Sequence, residues 1–126
     1  MSKNFSILVI DDNPTDLKLI SSLLANNGYD VSSAQEAPAG IELAMQMRPD
    51  LIILDVMMPI INGYNICRLI KDQAEYSGIP IVLLTSRSNE EDHRIGREAG
   101  ADAYISKPFD SEGLLCTIKD LLNNYA

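Results

Sequence analysis

Five short apolar runs alternate with five amphipathic stretches along the whole chain, and this alternation constrains the fold more than any other feature. The runs are Ser6–Asp11, Tyr29–Ser33, Leu51–Asp55, Pro80–Thr85 and Ala103–Ser106. Each has the length of a strand and is too short for a helix. The stretches between them carry helical spacing. Leu17, Ile20 and Leu24 fall at i, i+3 and i+7. Asn13-Pro14 supplies their N-cap and N1 proline, Asp16 lies in the first turn, and Gly28 marks the stop. Ala37, Ile41 and Ala44 mark a second helix, and a third runs from about Gly63 to Asp72. Ser88-Asn89-Glu90-Glu91 reads as a capping box opening a fourth helix that ends at Gly100. Asp110 caps a fifth, with Leu114, Ile118 and Leu121 on one face and an end at Asn123.

Strict β-α alternation predicts a parallel sheet with helices on both sides. ILVI, LIIL and IVLL are apolar on both faces, so strands 1, 3 and 4 are interior, while the weaker VSS and AYIS place strands 2 and 5 at the edges. The order is then 2-1-3-4-5. This is a doubly wound, five-stranded parallel α/β sheet, the flavodoxin-like (βα)5 arrangement. Right-handed crossovers put helices 1 and 5 on one face and helices 2, 3 and 4 on the other. At 126 residues the expectation is a single domain over 1–126.

Bulk properties exclude some classes of function. A net charge of −8 argues against a basic face for direct nucleic-acid binding. No apolar run approaches the ~20 residues that cross a bilayer, and Met1 is followed by Ser-Lys-Asn-Phe, not a leader. The expected setting is cytoplasmic, with no membrane. Cys67 and Cys116, with only His93 to join them, make no zinc spacing and read as reduced, buried thiols. His93, in an acidic helical segment, is expected to be exposed.

The polar interruptions of the apolar runs carry the chemistry. ILVI ends in Asp11-Asp12, LIIL in Asp55, IVLL in Thr85 and YIS in Lys107-Pro108. All these ends share one sheet edge, and the strand order reverses between strands 1 and 3, where ligands of open α/β sheets bind. Singly, each residue has an ordinary reading as a turn Asp, a strand-end Thr or a solvated Lys. Together they converge. Three close carboxylates repel one another, and a hard Mg²⁺ ion resolves that conflict with one or two carboxylates, waters and phosphate oxygens. Mg²⁺, the Lys107 ammonium and the Thr85 hydroxyl are the parts that phosphoryl transfer needs. Asp55, the central carboxylate, is the expected nucleophile, with Asp11 and Asp12 holding metal.

ILVIDD, LIILDVMMP, IVLLTS and YISKPF at these spacings resemble the receiver domains of two-component response regulators, over Ser6–Asn123, in the chemotaxis-type single-domain form. The resemblance implies Asp55 as phosphoacceptor, Asp11 and Asp12 as acidic Mg²⁺ residues, and Met57 giving a backbone carbonyl to the metal. It implies Thr85 following the phosphoryl group, Lys107 pairing with it, a cis bond before Pro108, and Tyr104 changing rotamer with Thr85. The implied donor is a phosphohistidine on a sensor histidine kinase or histidine phosphotransfer protein. The implied output is a downstream protein target met by the helix 4–strand 5–helix 5 face, so the chain is a self-phosphorylating and self-dephosphorylating acceptor, not a turnover enzyme. There are departures. Ile60-Ile61-Asn62-Gly63 stands where many relatives have Gly-Met-Asp-Gly, placing apolar bulk beside the pocket, and Met57 and Arg87 occupy variable positions that tune phosphoryl lifetime in the family. Two other readings compete. A Mg²⁺-dependent phosphohydrolase with an Asp nucleophile usually carries a second Asp two positions on, where this chain has Met57; a flavin-binding module wants a Ser/Thr/Gly-rich loop where Asp-Asp-Asn-Pro stands.

Overall fold

The computed structural model describes residues 4–86 and 90–125. Ten elements alternate without exception: β1 (Ser6–Ile10), α1 (Pro14–Asn26), β2 (Asp30–Ala34), α2 (Ala37–Met47), β3 (Leu51–Asp55), α3 (Gly63–Lys71), β4 (Ile81–Thr85), α4 (Glu90–Glu98), β5 (Ala103–Ser106) and α5 (Ser111–Tyr125). All strands are parallel, in the order β2-β1-β3-β4-β5 that the sidedness of the runs predicts. Every residue of β3 and β4 is buried, whereas β2 and β5 are only half-covered. That is the signature of interior and edge strands.

Alternation along each strand sends side chains to two separate cores. On one face Leu17, Ile20 and Leu24 of α1 and Leu114, Ile118 and Leu122 of α5 close over Ile7, Val9, Ile53 and Leu84. On the other, Ala37, Ala44, Ile66, Cys67 and Ile70 of α2 and α3, with Ala99 after α4, close over Leu8, Ile52 and Leu83. Full burial of each large aliphatic side chain contributes about 1.5–3 kcal/mol. Helix starts follow their caps. Asn13 Oδ1 accepts from the N–H groups of Thr15 and Asp16 at 2.9 and 3.1 Å, and Asp110 Oδ2 accepts from Gly113 N–H at 3.0 Å.

Several boundaries differ from the sequence expectation, each for a local reason. The second strand begins at Asp30, because the Tyr29 N–H is spent on Leu24 O at 3.2 Å as the last turn of α1. The fourth begins at Ile81, since Pro80 has no N–H for the ladder. The third helix stops at Lys71 and the fourth at Glu98, with Ala99 and Gly100 forming the following turn. The fifth runs on to Tyr125 and buries Leu122 fully, so its inner stripe is 114-118-122 and Leu121 flanks it. Cys67 is buried as expected, but Cys116 is exposed on the outer side of α5. His93 is half-buried, its ring centroid 4.2 Å from that of Tyr104. Arg87 and the Ser88-Asn89 start of the capping box lie outside the described residues, as do the first three residues of the segment read for a leader. Among the described residues no helix is long and apolar enough to cross a membrane.

Candidate functional site

Strand register lifts the polar strand ends to one level. Ile10 pairs with Leu54, Asp55 with Leu84 and Thr85 with Ser106, so Asp11 and Asp55 stand level at the edge, Thr85 one step further along and Lys107 one step beyond Thr85. Asp11 is buried just beyond β1, its N–H extending the ladder to Ala34 O at 3.1 Å. Asp55 is the last residue of β3 and is 5% exposed, while Asp12 faces solvent. One carboxylate oxygen from each of Asp11, Asp12 and Asp55 lies within 4.8 Å of the others. Close approach from α3 seals the floor. A Cβ on Gly63 would lie 2.6 Å from Asp55 O and 2.8 Å from Val56 Cα, so only glycine lets this helix start against the Asp55 backbone.

Lys107 reaches the cluster from the loop after β5, where its N–H donates to Thr85 O at 2.7 Å and the bond to Pro108 is cis. Its ammonium donates to Asp11 Oδ2 and to Asp16 Oδ2, each at 2.9 Å, and stands 3.5 Å from Asp55 Oδ1. Burial works against that ammonium, but the hydrogen bonds to Asp11 and Asp16, with the charges of Asp11 and Asp55, prevail and hold its pKa above the ordinary lysine value. The pKa of Asp55 is raised as well, which for a carboxylate disfavours the charged form. Burial first, then the charge of Asp11 and a hydrogen bond with Asp12, push its pKa up to about 6; Lys107 and the Met57 N–H, 3.3 Å from Oδ1, only partly oppose this.

That imbalance tests the fit of a metal. Three clustered carboxylates face one ammonium, and the charged form of Asp55 is disfavoured, so the site has room electrostatically for a divalent cation. The donors are hard oxygens, the class that suits Mg²⁺. Met57 stands where a phosphohydrolase would place its second Asp, and its side chain is about half exposed. Ile60 does not fill the pocket. It is 95% exposed, with φ at 74°, the left-handed region that favours glycine.

Thr85 is fully buried at the end of β4, on the same face of the sheet as Leu83 and therefore on the α3–α4 side. Tyr104 of β5 lies on that side too. Its hydroxyl is 2.9 Å from that of Tyr64, which donates to Asp92 O at 3.3 Å, leaving Tyr104 to donate to Tyr64. Burial and the Tyr64 hydrogen bond raise the Tyr104 pKa, while a hydrogen bond with Thr85 pulls it down, as a donor to the phenol oxygen would. A chain of hydroxyls thus runs from Thr85 through Tyr104 and Tyr64 to the first turn of α4. The Tyr104 ring also lies where a Cβ on Gly96 would come within 2.8 Å.

Structure brings Asp11, Asp12, Asp55 and Lys107 together and links Thr85 to Tyr104, all residues singled out from sequence. Two participants escaped that reading. Asp16 was visible only as a helix-start acid, because its contact with Lys107 spans 91 positions. Tyr64 gave no signal beyond an aromatic in a helix.

With the geometry in hand, comparison with known proteins is direct. The family model for the response regulator receiver domain matches residues 7–119. Protein PilH of Pseudomonas aeruginosa is 37% identical over 116 residues, covering 92% of this chain and 96% of PilH. The transcriptional regulator RpaA of Synechocystis is 40% identical over 92% of this chain, which spans only 48% of that protein. Among solved structures, the receiver domain of sensor histidine kinase PA1611 from P. aeruginosa, described with a magnesium ion coordinated in its active site cleft, superposes with a TM-score of 0.88 at 27% identity, covering 96% of this chain and 99% of that one.

Proposed function

We propose a phosphoacceptor switch, because this chain belongs to the response regulator receiver domain family and its buried Asp55 stands among carboxylates with an ammonium beside it. The observation that carries the reading is the Lys107 ammonium, 3.5 Å from a carboxylate that burial and its neighbours have made reluctant to stay charged. The proposed donor is a phosphohistidine on a sensor histidine kinase or histidine phosphotransfer protein. An oxygen of ionised Asp55 attacks phosphorus; the O–P bond forms as the N–P bond breaks, and the imidazole keeps the electron pair and takes up a proton. The product is an acyl phosphate on Asp55. At neutral pH a carboxyl with a pKa near 6 is mostly ionised and so able to attack. Lys107 and Thr85 offer N–H and O–H groups to the charge on the phosphoryl oxygens, which is where such transfers gain most. Asp11, Asp12, Asp55 and the Met57 carbonyl would hold Mg²⁺, which, when bound, offsets carboxylate charge and draws phosphate oxygens into place. Water attack at phosphorus later releases inorganic phosphate and restores Asp55, so the chain resets itself and turns over no other substrate.

Output follows from the hydroxyl chain. A phosphoryl oxygen competes for the Thr85 hydroxyl, and the stronger, charge-assisted bond withdraws Thr85 from Tyr104. Tyr104 and α4 then settle into the other of two arrangements, a population shift read by a protein that meets the α4–β5–α5 face. Donor and target are both proteins in this reading; neither nucleic acid nor membrane takes part, and the setting is cytoplasmic. Intact-mass spectrometry after acetyl phosphate and Mg²⁺ tests the reading. One phosphoryl group should appear on the wild type and none on Asp55→Asn. A label on Ser or Thr, or an Asp55→Asn protein that is still modified, refutes it. Millimolar Mg²⁺ should also raise the melting temperature by linkage, and Asp12→Ala should lose most of that gain.

A further inference from the structure

We infer that Asp16 is a positioning residue for Lys107: it holds the ammonium beside Asp55 with one N–H left over for an arriving phosphoryl oxygen. The inference rests on the phosphoacceptor reading of Asp55. An ammonium has three donors. Two are taken at 2.9 Å by Asp11 and Asp16, and Asp55 Oδ1 at 3.5 Å lies beyond a good hydrogen bond, so the third donor is the one that faces the reacting carboxylate.

The two anchors are not equivalent. Asp11 belongs to the carboxylate cluster, and a cation held there would share its oxygens. Asp16 stands outside that cluster, and so holds Lys107 whether or not a cation is bound. It is also fixed. It is the third residue of α1, its N–H donates to the Asn13 cap, and the helix N-terminus favours its charge. A lysine side chain is long and loses much rotamer freedom when it must be ordered during a reaction. Ordering it beforehand removes that cost from the transfer step. The ordinary alternative is a surface ion pair of little consequence. Burial argues against it, since the side chains of Lys107 and Asp16 are 16% and 32% exposed.

The test is the rate of phosphoryl addition from acetyl phosphate at saturating Mg²⁺, in which the bond from Asp55 oxygen to phosphorus forms as acetate leaves with the electron pair of its own O–P bond. Asp16→Asn should slow addition roughly tenfold, within the roughly hundredfold that misplacing a reacting group can cost. Mg²⁺ affinity should hold, and Asp16→Glu should recover part of the rate. In a Lys107→Met background Asp16→Asn should have no further effect, because the two act as a unit. Beryllofluoride affinity, measured on the same five proteins at saturating Mg²⁺, should follow the same pattern without any turnover. The inference is overturned if Asp16→Asn reacts as fast as wild type or faster, if Mg²⁺ affinity falls in step with rate, or if the loss persists in Lys107→Met. Failure of the phosphoacceptor reading looks different: wild type takes no phosphoryl group, or Asp55→Asn still does, and then both fall.

Discussion

The two faces of the sheet are covered by helices of unlike chemistry. Under α1 and α5 the buried residues are all aliphatic, and above them the site is tied down by ion pairs from Lys107 to Asp11 and Asp16. Under α3 and α4 the packing includes Cys67, Met58 and Tyr76, with Tyr64 and Tyr104 partly buried beside them and joined by hydroxyls. A close-packed aliphatic layer has one good arrangement and resists others. Hydroxyls can exchange partners at little cost. The difference teaches why a signal made at Asp55 would leave through one face: the α1–α5 side is built to hold, and the α3–α4 side contains the parts that can rearrange.

The largest effect should come from the face built to hold. Ile20→Ala or Ile118→Ala should cost about 2–5 kcal/mol in urea unfolding, as expected for a fully buried aliphatic. The folded fraction should still take up one phosphoryl group. A change in the response of Tyr104 to phosphorylation in either variant would break the contrast between the faces.

Next in size is the electrostatic cost of Asp55 itself. Its folded pKa of about 6 lies above its value in an unfolded chain, so protonation favours the fold. Its contribution is fully present below the unfolded pKa of ~3.9 and is lost as pH rises through about 6. In EDTA, Asp55→Asn should therefore be more stable than wild type by roughly 1–3 kcal/mol at pH 7.5, and the gap should shrink toward pH 4.5. Chemical denaturation at the two pH values reads this. A gap that widens on acidification would mean that Lys107, not burial, dominates the environment of Asp55.

A smaller effect is expected at Tyr64. Tyr64→Phe keeps the ring against Tyr104 but removes the link to Asp92 O, and should cost about 0.5–1.5 kcal/mol, the usual worth of one hydrogen bond. Phosphoryl uptake should be unchanged while the response of α4 weakens. Loss of uptake instead would place Tyr64 in the reacting site and erase the distinction between holding and relaying.

Much of this was legible in the residues. Sheet order followed from which apolar runs were two-sided, because an interior strand in a parallel sheet has no solvent face to encode. Asp11, Asp12, Asp55, Thr85 and Lys107 could be gathered because each lies at or just past the end of an apolar run, and parallel strands deliver their ends to one edge. Asp16 and Tyr64 could not, since their partners come from other helices and loops, and a helical spacing shows only which face is buried. Leu121 reads as inner-facing although Leu122 is the buried residue for a related reason: i+3 and i+4 steps are equally helical, and only packing chooses between them. Ile60 departs from the family pattern in sequence, but its outward side chain and left-handed backbone appear only in three dimensions.

The most direct test of the central claim is NMR of the protein with Mg²⁺ and beryllofluoride, a non-covalent mimic of the phosphoryl group, in wild type and Thr85→Ala. The account predicts shifts that run from Asp55 through Thr85, Tyr104 and Tyr64 into α4 in the wild type, with the α1–α5 helical core quiet. In Thr85→Ala the shifts should stop at the pocket although the mimic still binds. Shifts confined to the pocket in both proteins, or equal shifts through Leu17–Leu24 and Leu114–Leu122, would contradict it.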